Sequence, residues 1–429
     1  MGRSQSDELE QLLTLALRTG ATAAEVAQER SFSQPVVFEA NRLKQLETSD
    51  DTVTALRVWR QGRPGVAVAG GPIDSQILVE KALGLSELGE VEEPLLTDGG
   101  LEVFASVGNW VPVDRLIEWG EAAIATIRSA YDEVLCEASL TCETNHTRLI
   151  NSLGLDYRYE ETTISGGLSA EWVRGDDLLA VEADGIDRTQ LDPQGMAASV
   201  IERLGWAEHT AAPATGQLPV VLMAQATDLL WGTVQAALNG RRWVEGASPW
   251  QQGQAVATHA LTIGQHPDRG PYSCPFDDEG TRTQVLPLIV NGEVVQAYCD
   301  RTTGQRLGTS STGNGFRAGL GSRTMPGLVN FWVEPGEKAL AELLKELPEA
   351  VIVDQVMGGG AGLSGELSVN LELGYYLKQG EIVGRLKDTM LSGNVYQALK
   401  RAGAIAAEAT WNGASYSPAI VVEGLTVIG

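Results

Sequence analysis

The stretch Val351-Ile-Val-Asp-Gln-Val-Met357-Gly-Gly-Gly360-Ala-Gly362-Leu-Ser-Gly365-Glu-Leu-Ser-Val-Asn-Leu-Glu-Leu373 decides between two kinds of fold. Residues 360–365 match G-x-G-x-x-G letter by letter, and the apolar run 351–357 precedes them as a strand would. A dinucleotide site then needs a helix, whose N-terminal N–H groups hold the pyrophosphate. Here the apolar side chains fall at 367, 369, 371 and 373, which is the period of a strand. The segment therefore reads as strand, wide glycine turn, strand, and the nucleotide-binding reading is set aside.

The pattern holds on either side. A strand at 219–223 leads into a helix at 227–239 closed by Gly240. Beyond it glycine-punctuated strands at 285–296, 327–333, 351–357, 367–376 and 384–390 accompany one helix at 337–347. Residues 217–429 thus read as a β-rich, barrel-like domain with a few helices. Upstream, Leu9, Leu12, Leu13 and Ala16 give a helix over 7–19, with Ser6 able to cap it and Gly20 to end it. Period-two alternation over 24–69 is broken at Ala40-Asn41 and at Gln61-Gly-Arg-Pro-Gly65, both turn-like, and a helix follows at 73–85. After the Pro/Gly-rich segment 89–112 the order repeats. A helix at 113–131 is striped by Leu116, Ile117, Ala123, Ile124 and Ile127; strands cover 134–183 and a helix covers 195–206. Helix, meander, helix argues for α+β packing rather than a βαβ series. The expected units are an N-terminal α+β region (1–100), a central α+β region (101–212) and the C-terminal domain (217–429), with breaks at 89–112 and 211–216.

Composition narrows the function. With 43% apolar residues in 429, a sizeable core is available. Lys plus Arg is 31 against 56 Asp plus Glu, a formal net charge of -25, and no basic run interrupts it. Such a field repels phosphates and anionic headgroups, so neither nucleic acid nor membrane is an expected partner. No apolar run approaches the ~18 residues of a membrane helix. Gly2 with Ser6 fits a loose lipidation pattern, but nothing basic follows. Cys136 and Cys142 would face the same side of a strand. They and Cys274 and Cys299 read as reduced, buried thiols in a cytoplasmic protein.

The chemistry-bearing candidates are few. Of four histidines, His259 and His266 are seven apart and with Asp268 offer a metal reading, against the plainer one of solvent-facing loop residues. There is no H-E-x-x-H and no G-x-S-x-G elbow. Asp277-Asp278-Glu279-Gly280 places three carboxylates before a glycine: a cation site, a general acid/base pair, or a solvated acidic turn. Thr302-Thr-Gly304 and Ser310-Ser311-Thr312-Gly313-Asn314-Gly315 read as loops able to hydrogen-bond a peptide backbone, or as simple turns.

Several of these residues together resemble the TldD/PmbA metallopeptidase family. The likeness rests on Ser273-Cys-Pro-Phe-Asp-Asp-Glu-Gly280 with Thr283-Gln284, Ser311-Thr-Gly-Asn314, Pro326-Gly-Leu-Val-Asn330, Met357-Gly-Gly359, Gly380-Glu-Ile382 and Leu391-Ser-Gly-Asn394. Upstream, Ala24-Glu-Val26, Glu47-Thr-Ser49, and Val58-Trp59 with Gly62 fit as well. In the catalytic branch, TldD, the resemblance implies an HExxxH motif on the helix after the first strand of the C-terminal domain. Its two His bind zinc, its Glu is the base, and a Cys near the C-terminus is a further ligand. Aligned on Leu229-Leu230 and Gly240, the motif positions here are Trp231, Gly232 and Ala236, and no Cys follows Cys299. This departure resembles the second branch, TldE (also called PmbA), which pairs with TldD and lacks the metal site.

The resemblance implies a metal-free subunit of a heterodimeric zinc peptidase acting on unstructured peptides, with zinc in an HExxxH-bearing partner and no catalytic residue or cofactor in this chain. Asp277–Gly280 and Ser311–Asn314 are its candidate peptide-contact or fold motifs. A stand-alone peptide-binding or regulatory protein is the alternative, and an enzyme using Asp277, Asp278 and Glu279 is a third reading.

Overall fold

The computed structural model describes residues 4–429, so Gly2 and the lipidation pattern lie outside the described residues. The chain opens with α1 (Ser4–Arg18), which starts ahead of Ser6, the residue expected to cap it. Four antiparallel strands follow: β1 (Ala23–Glu39), β2 (Arg42–Leu46), β3 (Ser49–Arg60) and β4 (Arg63–Gly70). Their hairpins turn where the sequence predicts. Ala40 (φ 47) and Asn41 (φ 68) are both left-handed, as are Gln61 (φ 53) and Gly62 (φ 73), the geometry a two-residue hairpin needs. Next come α2 (Ser75–Ser86), β5 (Leu101–Val103), α3 (Val113–Ala130), β6 (Leu135–Asn151), β7 (Asp156–Arg174), β8 (Asp177–Asp187) and α4 (Pro193–Trp206).

These strands make one eight-stranded sheet, in the order β4-β3-β1-β6-β7-β5 with β2 on β1 and β8 on β7. One continuous sheet thus crosses residue 100, where the sequence suggested a boundary: β1 pairs β6 from Glu25↔Asn151 to Phe38↔Ala138. The segment 89–112 is mostly irregular and returns only β5 to the sheet edge. One face is apolar. Cys136, Ala138, Leu140, Cys142 and Ile164 pack beneath α3 and α4, and Val26, Leu56 and Val58 beneath α1 and α2. The other face buries Ala27, Ala55 and Leu149 against Phe276 and Leu320 of the C-terminal half.

The C-terminal half comprises β9 (Val220–Leu222), α5 (Asp228–Leu238), α6 (Gly240–Val244), β10 (Ile263–Gln265), β11 (Leu286–Val290), β12 (Glu293–Val294), α7 (Arg301–Leu307), β13 (Gly315–Arg317), β14 (Thr324–Pro326), β15 (Phe331–Val333), α8 (Leu340–Glu346), β16 (Glu349–Met357), β17 (Glu366–Lys378), β18 (Glu381–Arg385), β19 (Met390–Asn394), α9 (Val395–Leu399), β20 (Ala402–Asn412), β21 (Ser415–Val422) and β22 (Thr426–Ile428). Twelve strands run in the order β12-β11-β10-β15-β21-β9-β16-β17-β19-β22, with β18 on β17 and β20 on β21; β13 and β14 pair only with each other. Among the described residues the path stays open and closes no barrel. As the glycine stretch predicts, β16 and β17 pair antiparallel, from Glu349↔Lys378 to Met357↔Asn370, around Gly365 at φ 75.

Four local expectations change. The strand expected over 384–390 falls mostly in the gap between β18 and β19, with residues 386–389 in neither. The strand expected over 327–333 shrinks to β15, because Asn330 adopts φ 50 just before it. Thr302-Thr-Gly304 lies in α7 rather than a loop, since Asp300 caps that helix by accepting from Thr303 N (2.7 Å). Gly240 does not simply end a helix but opens α6, capped by Asn239.

Candidate functional site

Asp277–Gly280 and Ser311–Asn314 come together as one clasp. Asp277 is 1% exposed; its Oδ1 accepts from Glu279 N (3.0 Å) and Thr281 N (2.8 Å), and its Oδ2 from Gly315 N (2.8 Å). Asp278 Oδ2 accepts from Arg317 N (2.7 Å). Glu279 accepts from Arg301 N and the Thr324 hydroxyl, both at 2.8 Å. Gly280 sits at φ 71, and a Cβ there would come within 2.9 Å of Leu155 Cδ2, so a glycine is required. Burial, and then the Glu279 charge, push the Asp277 carboxyl up to about 7 against the pull of its three N–H donors. Asp278 and Glu279 are also raised, chiefly by burial.

The second loop is knitted into the same clasp. Thr312 accepts from Cys299 N (2.7 Å), and Ser311 accepts from Gly313 N (3.1 Å). Buried Asn314 donates to Gln265 Oε1 (2.6 Å) and to the Gly327 carbonyl (2.7 Å). Five of the six carboxylate oxygens of Asp277, Asp278 and Glu279 thus hold backbone N–H groups or a hydroxyl. The arrangement fastens β13 to the turn before it, and the burial of Asp277 shows that this is not a solvated acidic turn. Sequence reasoning passed over its supports: Gln265, and the Glu25–Arg317 ion pair that ties β1 to β13 with both side chains buried. Glu25 lies in the Ala24-Glu-Val26 stretch and Gln265 in no motif, but only the pairing of the two halves shows what either one holds.

The His259/His266/Asp268 grouping does not form. His259 is exposed, whereas His266 is largely buried, packs at a tilt against Trp332 (ring centroids 5.0 Å) and approaches Asp268 at 3.4 Å. Among the described residues no group of three or more His, Cys, Asp or Glu is arranged to hold a metal ion.

On α5, Trp231 is fully buried. Its Nε1 donates to Ser417 Oγ (2.8 Å) and its ring packs on Phe331. Gly232 faces open space, and Ala236 is half-buried. Elsewhere a cleft of about 760 Å³ opens between β8, α4 and the strands β16, β17 and β20. A groove of about 360 Å³ adjoins it, floored by Ser139, Thr141, Ser165 and Gly167 and sharing Trp411 as a wall. At the cleft's base the buried pair Arg203 Nη1–Asp354 Oδ1 (2.9 Å) joins the two halves.

A family model described as the PmbA/TldA metallopeptidase C-terminal domain matches residues 215–429, the whole C-terminal half. The chain belongs to the PmbA/TldD metallopeptidase family. Among its relatives, a metalloprotease of Synechocystis is 31% identical over 145 residues, 34% of this chain and 30% of that protein. The chain thus spans less than a third of that curated relative. A metalloprotease PmbA homolog of Haemophilus influenzae is 25% identical over 437 residues, covering 94% of this chain and 92% of its own length. The fold matches TldE from Thermococcus kodakarensis with a TM-score of 0.91 at 21% identity, over 98% of this chain and 100% of that one.

At Trp231, Gly232 and Ala236, where the sequence resemblance aligns the zinc motif of the PmbA/TldD family, the side chains present do not fit the metal. An indole N–H can only donate, and at Trp231 it is already spent on Ser417. Gly232 and Ala236 offer no lone pair. No step through zinc is derivable from these side chains.

Proposed function

We propose that this chain is the metal-free, TldE-like subunit of a two-chain zinc peptidase, with the metal and base carried by an HExxxH-bearing partner. The pair acts on unstructured peptides in the cytoplasm, for maturation or clearance. This chain supplies the partner interface and part of the wall around the substrate. One observation carries the reading: where the family places two zinc ligands and a base, this chain has Trp231, Gly232 and Ala236, and the first of these is built into the core. A peptidase zinc needs three protein ligands and one open position for water. The described helices include none long and apolar enough to cross a membrane.

The test is co-purification of the full chain with an HExxxH-bearing relative from the same cell, followed by elemental analysis. A stable complex with one zinc per pair supports the subunit reading. Failure to associate leaves the stand-alone peptide-binding protein, because the cleft needs no metal to hold a peptide.

A further inference from the structure

The cleft between the two halves combines an open strand edge with unneutralised negative charge. Strand β8 pairs with β7 from Ile164↔Asp187 to Arg174↔Asp177, and among the described residues no strand pairs with its other edge. Residues 182–187 of this edge strand line the cleft. The Leu178 and Glu182 carbonyls of β8 already accept from Arg385 and Arg203; along the rest of the edge an extended chain can add as a further strand.

The lining carboxylates fall into two classes. Asp187 accepts from Thr189 N and Gln190 N, Asp192 caps α4 through Gly195 N, and Glu408 accepts from Leu340 N; these hold the backbone. Among the described residues, Glu182, Asp184, Glu202 and Glu372 have no hydrogen-bond or ion-pair partner for their carboxylates. Arg203 is the sole cation of the lining, and it is committed to Asp354 and to the Glu182 carbonyl. Burial raises the Glu182 carboxyl and the neighbouring charges of Asp184 and Glu372 raise it further, while the Arg203 charge pulls it down. Glu182 and Asp184 on the edge strand, with Glu202 of α4 and Glu372 of β17 along the cleft, all exposed, give the lining an excess of negative charge that a cationic side chain complements. Opposite Asp184, Gly167 adds no side chain, and the wall of Trp411 offers an aromatic face to a guanidinium or ammonium.

We infer that this cleft takes an extended peptide segment bearing Lys or Arg, its backbone along β8 and its cationic side chains among Glu182, Asp184, Glu202 and Glu372. This rests on the peptide-handling reading above and adds to it a charge preference. Acidic segments are excluded by the same carboxylates.

The experiment uses the full chain and fluorescein-labelled unstructured peptides of about twelve residues, long enough to run the length of a strand. One alternates Lys with Ser, a second has Glu in place of Lys, and a third is the Lys peptide N-methylated at alternate backbone positions. Anisotropy should show the Lys peptide binding at least about tenfold tighter than the Glu peptide. Binding should weaken as salt rises from about 50 to about 500 mM, and N-methylation should abolish it. The combined variant Glu182→Gln/Asp184→Asn/Glu372→Gln should lose about tenfold for the Lys peptide. An equal charge change on α3 and beyond, Asp114→Asn/Glu121→Gln/Glu133→Gln, should not. Equal affinity for both charge types, or equal loss in the two triple variants, overturns the inference. The wild-type comparison among peptides decides the matter even if a variant fails to fold. Failure of the subunit reading shows separately, as lack of association with the partner: a chain that assembles yet binds peptides regardless of charge overturns only this inference.

Discussion

Trp231 on α5 donates its indole N–H to the Ser417 hydroxyl of β21 across 2.8 Å, with both residues fully buried. That bond joins the helix to a central strand of the twelve-stranded sheet, at the position that the sequence resemblance aligns with a zinc ligand. A side chain of this size is part of the packing, and the site cannot be restored by exchanging it alone.

Replacing Trp231→His should therefore destabilise the chain by about 2–4 kcal/mol, from the cavity left and the lost indole bond to Ser417, whose hydroxyl keeps only its bond to the Pro418 carbonyl. A lowered urea midpoint at unchanged slope is the expected signature. The combined variant Trp231→His/Gly232→Glu/Ala236→His should still hold no stoichiometric zinc by elemental analysis. The further ligand and its supporting shell would remain missing. One tightly held zinc per chain would contradict the account.

Arg203 and Asp354 tie the two halves together as a buried ion pair, 4% and 0% exposed, with Gln225 and Tyr375 also hydrogen-bonded to Asp354. Arg203→Met leaves a buried carboxylate uncompensated and should cost about 3–5 kcal/mol, while Arg203→Met/Asp354→Leu should recover much of that. Chemical denaturation of the single and double variants checks it; a double variant as unstable as the single would count against the pair as described.

Asp277 gives a pH dependence with a definite sign. Its carboxyl lies at about 7 in the fold, above the ordinary 3.8. Between those values the folded state holds a proton that the unfolded state has released, so this group's contribution to stability falls as pH rises through that window. The stability of the wild type relative to Asp277→Asn should accordingly decrease from pH 5 to pH 8, a range set by that same raised value. A difference that is flat or rises across the window would contradict the burial assigned to Asp277.

The periodic elements were legible in sequence because one period dominates each of them: the 3.6-residue stripe of α3, and the alternation of β17 that refuted a nucleotide-binding turn. The hairpin β20–β21 was not. Its strand 402–412 contains five alanines, which carry little strand preference, and Pro418 sits inside the return strand. The continuity of the first sheet was hidden as well, since β1 and β6 meet across more than a hundred residues of sequence. The motif letters of Asp277–Gly280 and Ser311–Asn314 were visible, but their role was not. Whether a carboxylate is free or tied to N–H groups depends on which loop it meets, and Gly315 meets Asp277 only in the fold. The cleft carried no sequence signal, because Glu182, Asp184, Glu202 and Glu372 come from β8, α4 and β17.

The most direct measurement is hydrolysis of casein or an unstructured peptide by three samples: this chain, an HExxxH-bearing partner, and their mixture, each with and without a zinc chelator. The account predicts no cleavage by this chain, little by the partner, and chelator-sensitive cleavage by the mixture. Chelator-sensitive cleavage by this chain alone, or full activity of the partner without it, would contradict it.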